Sequence, residues 1–291
     1  MKKNFILSFS FLFFLACSVT KLPNESSIDT KVGTDFHMHI HSPPKEYDDL
    51  QFNAERALFA AESIGLNRAL VLSKAYSQNV SEMNAQIENN FVQEEALKNK
   101  TRLAGACAVN PRMNWAYKEI KRCASMGMKV LKLHFMASGL DLRIPKDYDI
   151  AKASIQNAED SGMTIIVHAN YPRKQRGDEI EKLKMLIEEF PKTRWIIGHA
   201  FGREFEFLKN LKHPNFVVEI SIVPVWTRNN DDRSRFVQTI RDVGIGKFVF
   251  GSDWPVFHPA EILKAFLALP LTKEEQGIIL FQNASKFNDL F

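Results

Sequence analysis

Two histidines one residue apart, in Asp35-Phe36-His37-Met38-His39, are the first feature of this 291-residue chain that carries chemistry. In an extended strand alternate side chains share a face. Both imidazoles therefore point one way and can chelate one divalent ion. Asp35 shares their parity and is expected to hydrogen-bond a ring N–H from behind. His41 continues the alternation but precedes Ser-Pro-Pro, where the strand should have ended. Three more histidines finish apolar runs: His134 after Lys132-Leu133, His168 after Ile165-Ile166-Val167, and His199 after Ile196-Ile197-Gly198. Asp253 follows a further run in Phe250-Gly251-Ser252-Asp253-Trp254-Pro255. A single histidine ending a strand is more often structural than ligating. Five of them gathered at the same ends of their runs, with Asp253 beside another, reverse those odds.

The elements that must hold these residues follow one rhythm, a short β-rich apolar run and then a longer amphipathic stretch. The apolar runs are 32–40, 68–72, 103–109, 128–134, 163–168, 193–199, 216–222 and 247–252. Between them lie helical patterns at 52–64, 83–98, 115–126, 149–161, 179–190, 203–211 and 233–243, with two more at 259–269 and 273–291. Ile180, Leu183, Leu186 and Ile187 show the helical spacing clearly. Strands that are apolar on both faces and alternate with helices argue for parallel pairing through helical crossovers. Eight such units fit a closed (β/α)8 TIM barrel with a closing C-terminal helix. The doubly wound rival would want a glycine-rich phosphate turn, and neither GxGxxG nor GxxxxGK[ST] occurs. In a barrel the C-terminal strand ends ring one mouth, where active sites are built.

HxH on strand one, His after strands five and six, and Asp after strand eight together resemble the amidohydrolase superfamily of metal-dependent barrel hydrolases. Gly-Ser-Asp-Trp-Pro and the late Asn283-Ala284 are similar to its amidohydrolase-related branch, which includes decarboxylases of aromatic or dienoic acids and several lactonases. The resemblance runs from about residue 33 to 291. It implies that His37, His39 and His168 are metal ligands and that Asp253 is a further ligand or proton acceptor. It places His199 beside the metal water or on the substrate carbonyl. Three neutral imidazoles leave an open coordination position, where a divalent metal, zinc or else manganese, lowers the pKa of bound water towards about 7. Asp253 can take that proton and pass it to the leaving group. Protonated His199, or the metal, would then stabilise the oxyanion.

On strand four, parity puts Lys132 and His134 on one face and Leu131 and Leu133 on the other. Lys132 is read as binding a substrate carboxylate, with His134 beside it; a carboxylated lysine bridging two metals is the alternative. No glutamate stands here, which argues against the deoxyribonuclease-like branch. Arg112, Arg143, Arg173 and Arg203 follow strands three to six and are candidate anion clamps, Arg173 among them. Trp226 and Trp254 could line an apolar pocket, and Trp254 adjoins Asp253.

The ends and the bulk composition set the context. Lys2-Lys3 followed by an apolar run at 5–16 reads as a secretory signal peptide, too short to span a membrane. Phe14-Leu15-Ala16-Cys17 resembles a bacterial lipobox, so 1–17 is expected to be a lipoprotein signal with Cys17 lipidated. Residues 18–32 would be a polar tether, and 33–291 the catalytic barrel. The chain would then be exported and lipid-anchored to the cell envelope, touching membrane only through that lipid. With Cys17 assigned, Cys107 and Cys123 remain, and two independent buried thiols are expected. Net charge argues against two partner classes: 38 Lys and Arg against 34 Asp and Glu give +4, too little to imply a nucleic acid or an anionic membrane surface. The reading is an exported, metal-dependent hydrolase of a small-molecule ester, lactone or amide, with a carboxylate as a candidate substrate. Its rivals are a decarboxylase on the same scaffold and, more remotely, a non-catalytic solute-binding surface lipoprotein.

Overall fold

The computed structural model describes residues 33–42, 52–171 and 176–291. Cys17, the tether and Arg173 lie outside these. Eight strands pair in parallel in the order of the chain: β1 (Thr34–His39), β2 (Arg68–Leu72), β3 (Leu103–Ala108), β4 (Val130–Leu133), β5 (Thr164–His168), β6 (Trp195–Gly198), β7 (Phe216–Glu219) and β8 (Phe248–Val249). The ring closes where the Phe36 N–H donates to Phe250 O, the Asp253 N–H to His37 O and the His39 N–H to Trp254 O. Helices α1 (Ala54–Glu62), α2 (Glu82–Lys98), α3 (Ala116–Ser125), α4 (Pro145–Asp160) and α5 (Arg176–Glu188) form the outer crossovers. After β7 come the short α6 (Val223–Trp226) and α7 (Asn230–Val243). Among the described residues no helix is long and apolar enough to cross a membrane.

Strand parity sorts the core into two shells. Leu70, Leu72, Ala104, Ala106, Val130, Ile166, Ile196, Val217 and Val249 fill the barrel interior, and Phe287 plugs its base against Phe36. The alternate residues, such as Leu131, Leu133, Ile165 and Val167, pack outward under the helices. Both shells exclude water, which is why the strands read as continuous apolar runs.

Two expectations are corrected here. β1 carries one extra residue between Asp35 and Met38 relative to β2. That bulge turns Phe36 and His37 both inward and breaks the parity that tied Asp35 to the imidazoles. Asp35 accepts instead from the backbone N–H groups of His37 and Ser252, each at 3.0 Å. The second correction concerns the cysteines, which form a disulfide with Cα atoms 6.1 Å apart. Cys107 faces outward from β3, opposite in parity to the inward Ala106, and meets Cys123 on the buried face of α3.

Candidate metal centre

The C-terminal ends of the strands bring the predicted residues into one buried cup. His37, Lys132 and Glu219 are inaccessible to solvent and His199 almost so. Asp253, at the rim, keeps 14 % of its side chain exposed. Two of these residues sit in the left-handed backbone region, His199 at φ 61° and Asp253 at φ 64°. Such a conformation costs a non-glycine residue about 1–3 kcal/mol, a strain that concentrates at functional sites. Here it is held by the Asp253 N–H bond to His37 O at 2.7 Å and the His199 N–H bond to Glu219 at 3.3 Å.

Glu219 organises the floor of the cup. Its Oε2 accepts from His37 Nδ1 at 2.7 Å and from Ser221 Oγ at 2.9 Å, and its Oε1 accepts from the Ser221 N–H. Ser221 Oγ, having donated to Glu219, accepts from His199 Nδ1 at 2.8 Å. On the other side His168 Nε2 donates to Asn170 O at 2.8 Å. These partners set the tautomers. His37, His168 and His199 are each anchored by one N–H and turn the other nitrogen, a lone pair, into the cup.

The rings are also held neutral. Burial, reinforced by Lys132 and by the neighbouring imidazoles, pushes His37, His134 and His199 well below the usual histidine range and His168 down to about 3. Burial lowers His39 too. Burial and the neighbouring imidazoles thus favour the neutral form of His199. Burial pushes Asp253 upward, but His37, His39 and Lys132 outweigh it and hold the carboxylate well below its ordinary range. Lys132 Nζ stands 3.1 Å from His37 Nε2 and is pushed down to about 8 by burial.

This donor set fits a divalent metal. His168 Nδ1 and His199 Nε2 face each other at 3.0 Å as two lone pairs with no proton between them. His37 Nε2 and His39 Nε2 each lie 3.4 Å from Asp253 Oδ1. Ligands bonded at 2.0–2.1 Å around a tetrahedral ion are separated by about 3.3 Å, so these separations are of the size a coordination shell requires. One ligand atom each from His37, His199 and Asp253 lies within 4.8 Å of the others. His199, expected beside the metal, thus joins His37 and Asp253 in one cluster.

The remaining candidates fall elsewhere. His134 stacks on His168, ring centroids 3.7 Å apart and planes 10° apart, and Tyr76 adds a third ring 5.0 Å from His134. Lys132, expected to bind a substrate carboxylate, is sealed beneath His37. Trp254 packs edge-on against Phe52 and is 8 % exposed. His41 turns to Ser42 O and Phe52, away from the cup. Arg112 is bound to Asp147 and Arg143 to Asp141, while Arg203 and Trp226 line a separate cleft beyond β6 and β7. Glu219 and Ser221 escaped the sequence reading. Their signal was a lone carboxylate ending the apolar run Phe216-Val217-Val218. Gly251 is the counterpart, since a Cβ there would lie 2.3 Å from Glu219 Oε1.

Known proteins place the chain. The Amidohydrolase family model (Amidohydro_2) matches residues 34–289. No curated protein matches significantly. Among solved structures, a probable 2-pyrone-4,6-dicarboxylic acid hydrolase from Acinetobacter baumannii, with citric acid bound, is 16 % identical with a TM-score of 0.62, covering 88 % of this chain and 99 % of its own. The 5-carboxyvanillate decarboxylase from Sphingomonas paucimobilis is 15 % identical with a TM-score of 0.64, covering 89 % and 99 %. A dihydroxybenzoic acid decarboxylase from Polaromonas sp. JS666, with bound manganese and 2-nitroresorcinol, is 15 % identical with a TM-score of 0.65, covering 89 % and 97 %. At these identities the likeness is one of fold. With the family match spanning the whole barrel and the histidines and aspartate standing at its mouth, the chain belongs to the amidohydrolase family.

Proposed function

We propose that the protein is a metal-dependent hydrolase that cleaves the ester, lactone or amide carbonyl of a small-molecule substrate. The observation that carries the reading is Asp253, an ionised carboxylate at the open edge of a cup of neutral histidines. His37, His39, His168 and Asp253 would hold the ion, with His199 completing the ring around it. When bound, a divalent metal supplies an acidified water and polarises the carbonyl. The chain's own residues do the rest. Asp253 accepts a proton from attacking water and returns it to the leaving group. Glu219 and Ser221 keep the His37 and His199 lone pairs facing inward. His134, in contact with both His168 and Tyr76, adds an aromatic side to the site. Zinc suits the nitrogen-rich donor set, and manganese is supported by the ion in the Polaromonas relative.

Export and lipid anchoring through Cys17 belong to the same proposal. The lipobox-like sequence supports them, as does the Cys107–Cys123 disulfide, a bond of oxidising compartments.

The test is turnover by metal-loaded protein on a panel of aromatic and alicyclic lactones, esters and amides scored for acid. Carboxylic acids are scored alongside for carbon dioxide. Acid release that is lost in Asp253→Asn supports hydrolysis. Carbon dioxide from a carboxylate, with no acid from any acyl substrate, overturns it in favour of decarboxylation.

A further inference from the structure

The barrel end opposite the cup is edged with cations. Arg68 opens β2, and Arg102, Lys129, Arg194 and Lys247 immediately precede β3, β4, β6 and β8. Lys286 lies beside Lys247 in the C-terminal segment. Two of the six are neutralised, Arg102 by Glu62 at 2.5 Å and Arg194 by Asp289 at 2.7 Å. The other four bond to neutral oxygens. Arg68 donates to Asn288 Oδ1 at 2.8 Å, Lys247 to Pro214 O at 2.9 Å, Lys129 to the carbonyl of Asp289, and Lys286 to the carbonyl of Gly246.

These cations are interleaved with aromatic rings. Arg68 lies over Phe291 at 5.0 Å, Arg194 over Phe287 at 4.9 Å and Lys247 over Phe216 at 4.5 Å. Phe216 and Phe287 also line a cleft of about 680 Å³ rimmed by Arg194, Lys247 and Lys286. Charged heads above apolar floors are the composition of a membrane-interface surface. The chain enters β1 on this same face, since Gly33 O accepts from the N–H groups of Asn67 and Arg68 at 3.2 and 3.1 Å. Gly33 thus stands on this face, with the cup at the far end.

We propose that this basal face docks on an anionic phospholipid surface, holding the catalytic mouth away from the membrane. The proposal rests on the anchoring reading for its setting, but its test omits the anchor, so the two fail separately. The barrel is a complete fold by itself: solved relatives are matched over 97–99 % of their own length by this region. The experiment is co-sedimentation of residues 32–291 with vesicles of phosphatidylcholine, with and without a minority of phosphatidylglycerol. Binding is expected only with phosphatidylglycerol and should weaken as salt rises. The triple variant Lys129→Gln, Lys247→Gln, Lys286→Gln should bind on the order of a hundredfold more weakly. Lys118→Gln, Lys121→Gln, Lys146→Gln, the same charge change on α3 and α4, should bind as the parent does. Equal losses in both variants would show that net charge and not this face is responsible, and would overturn the proposal. Binding indifferent to phosphatidylglycerol, or none at low salt, would overturn it as well.

Discussion

Glu219→Gln is the sharpest test of how the cup is organised. The carboxylate serves four donors with two acceptor oxygens: His37 Nδ1, Ser221 Oγ and the His199 N–H at Oε2, and the Ser221 N–H at Oε1. An amide of the same shape keeps one oxygen and gains two N–H groups. If the oxygen stays with His37, the new NH2 faces the Ser221 N–H; if it turns, the NH2 faces His37 Nδ1. At least one charge-assisted hydrogen bond is lost in a site closed to solvent, about 1.5–3 kcal/mol, and the turned amide loses the three acceptor contacts at Oε2. Loss of a partner behind a metal-bound histidine costs metal affinity by roughly 10–100-fold, the same range in free energy. The assay is competition for zinc or manganese between metal-free protein and a chromogenic chelator, with circular dichroism to confirm the fold. Gly251→Ala should give a similar loss by displacing the carboxylate without altering its chemistry, since the added Cβ would collide with Oε1 at 2.3 Å. Parental affinity in folded Glu219→Gln protein would refute the argument that Glu219 aims His37 at the ion.

Further outcomes follow from other parts of the molecule. His37→Ala should remove the metal outright, read by elemental analysis, whereas Asp253→Asn should keep a folded barrel and lose about 10²–10⁴-fold in turnover as a general base is deleted. Stability should depend on pH through Glu179, which burial, followed by its bond to Asp141, pushes up to about 7. A raised carboxyl contributes stability that is complete below its unfolded value near 4.5 and lost as pH rises through about 7. The urea midpoint should therefore fall across that window and fall less in Glu179→Gln. Cys107→Ser with Cys123→Ser opens a link spanning 16 residues and should cost about 3 kcal/mol, measured by denaturant unfolding. Unchanged unfolding in that pair would show that the link is not formed in the native protein.

The framework was legible because both faces of each strand are dry. Continuous apolar runs placed all eight strands, and the histidines stood out as the only titratable groups ending several of them. What parity alone missed was the bulge in β1, a backbone irregularity written in no residue type, and with it the true role of Asp35. The apolar run 247–252 is longer than β8, which pairs with β7 only over Phe248–Val249. Beyond it the backbone bonds to β1 instead. Glu219 was hidden in a run that looked purely structural, and only the three-dimensional closeness of Gly251 explains why a carboxylate fits there. The disulfide required knowing which face of β3 meets which face of α3, a packing relation that spacing does not encode.

The seam that closes the barrel runs through the cup itself. Asp253 donates its N–H to His37 O, and Ser252 donates to Asp35 across 217 residues of sequence. The first and last strands must find each other before the donor set exists, so metal loading is a terminal event in the life of the chain. A nascent or truncated polypeptide carries its histidines before Asp253 arrives, and in that interval the donor set lacks its carboxylate. Quality control is thereby built into the chemistry: a barrel that has failed to shut is also an enzyme that has never been switched on.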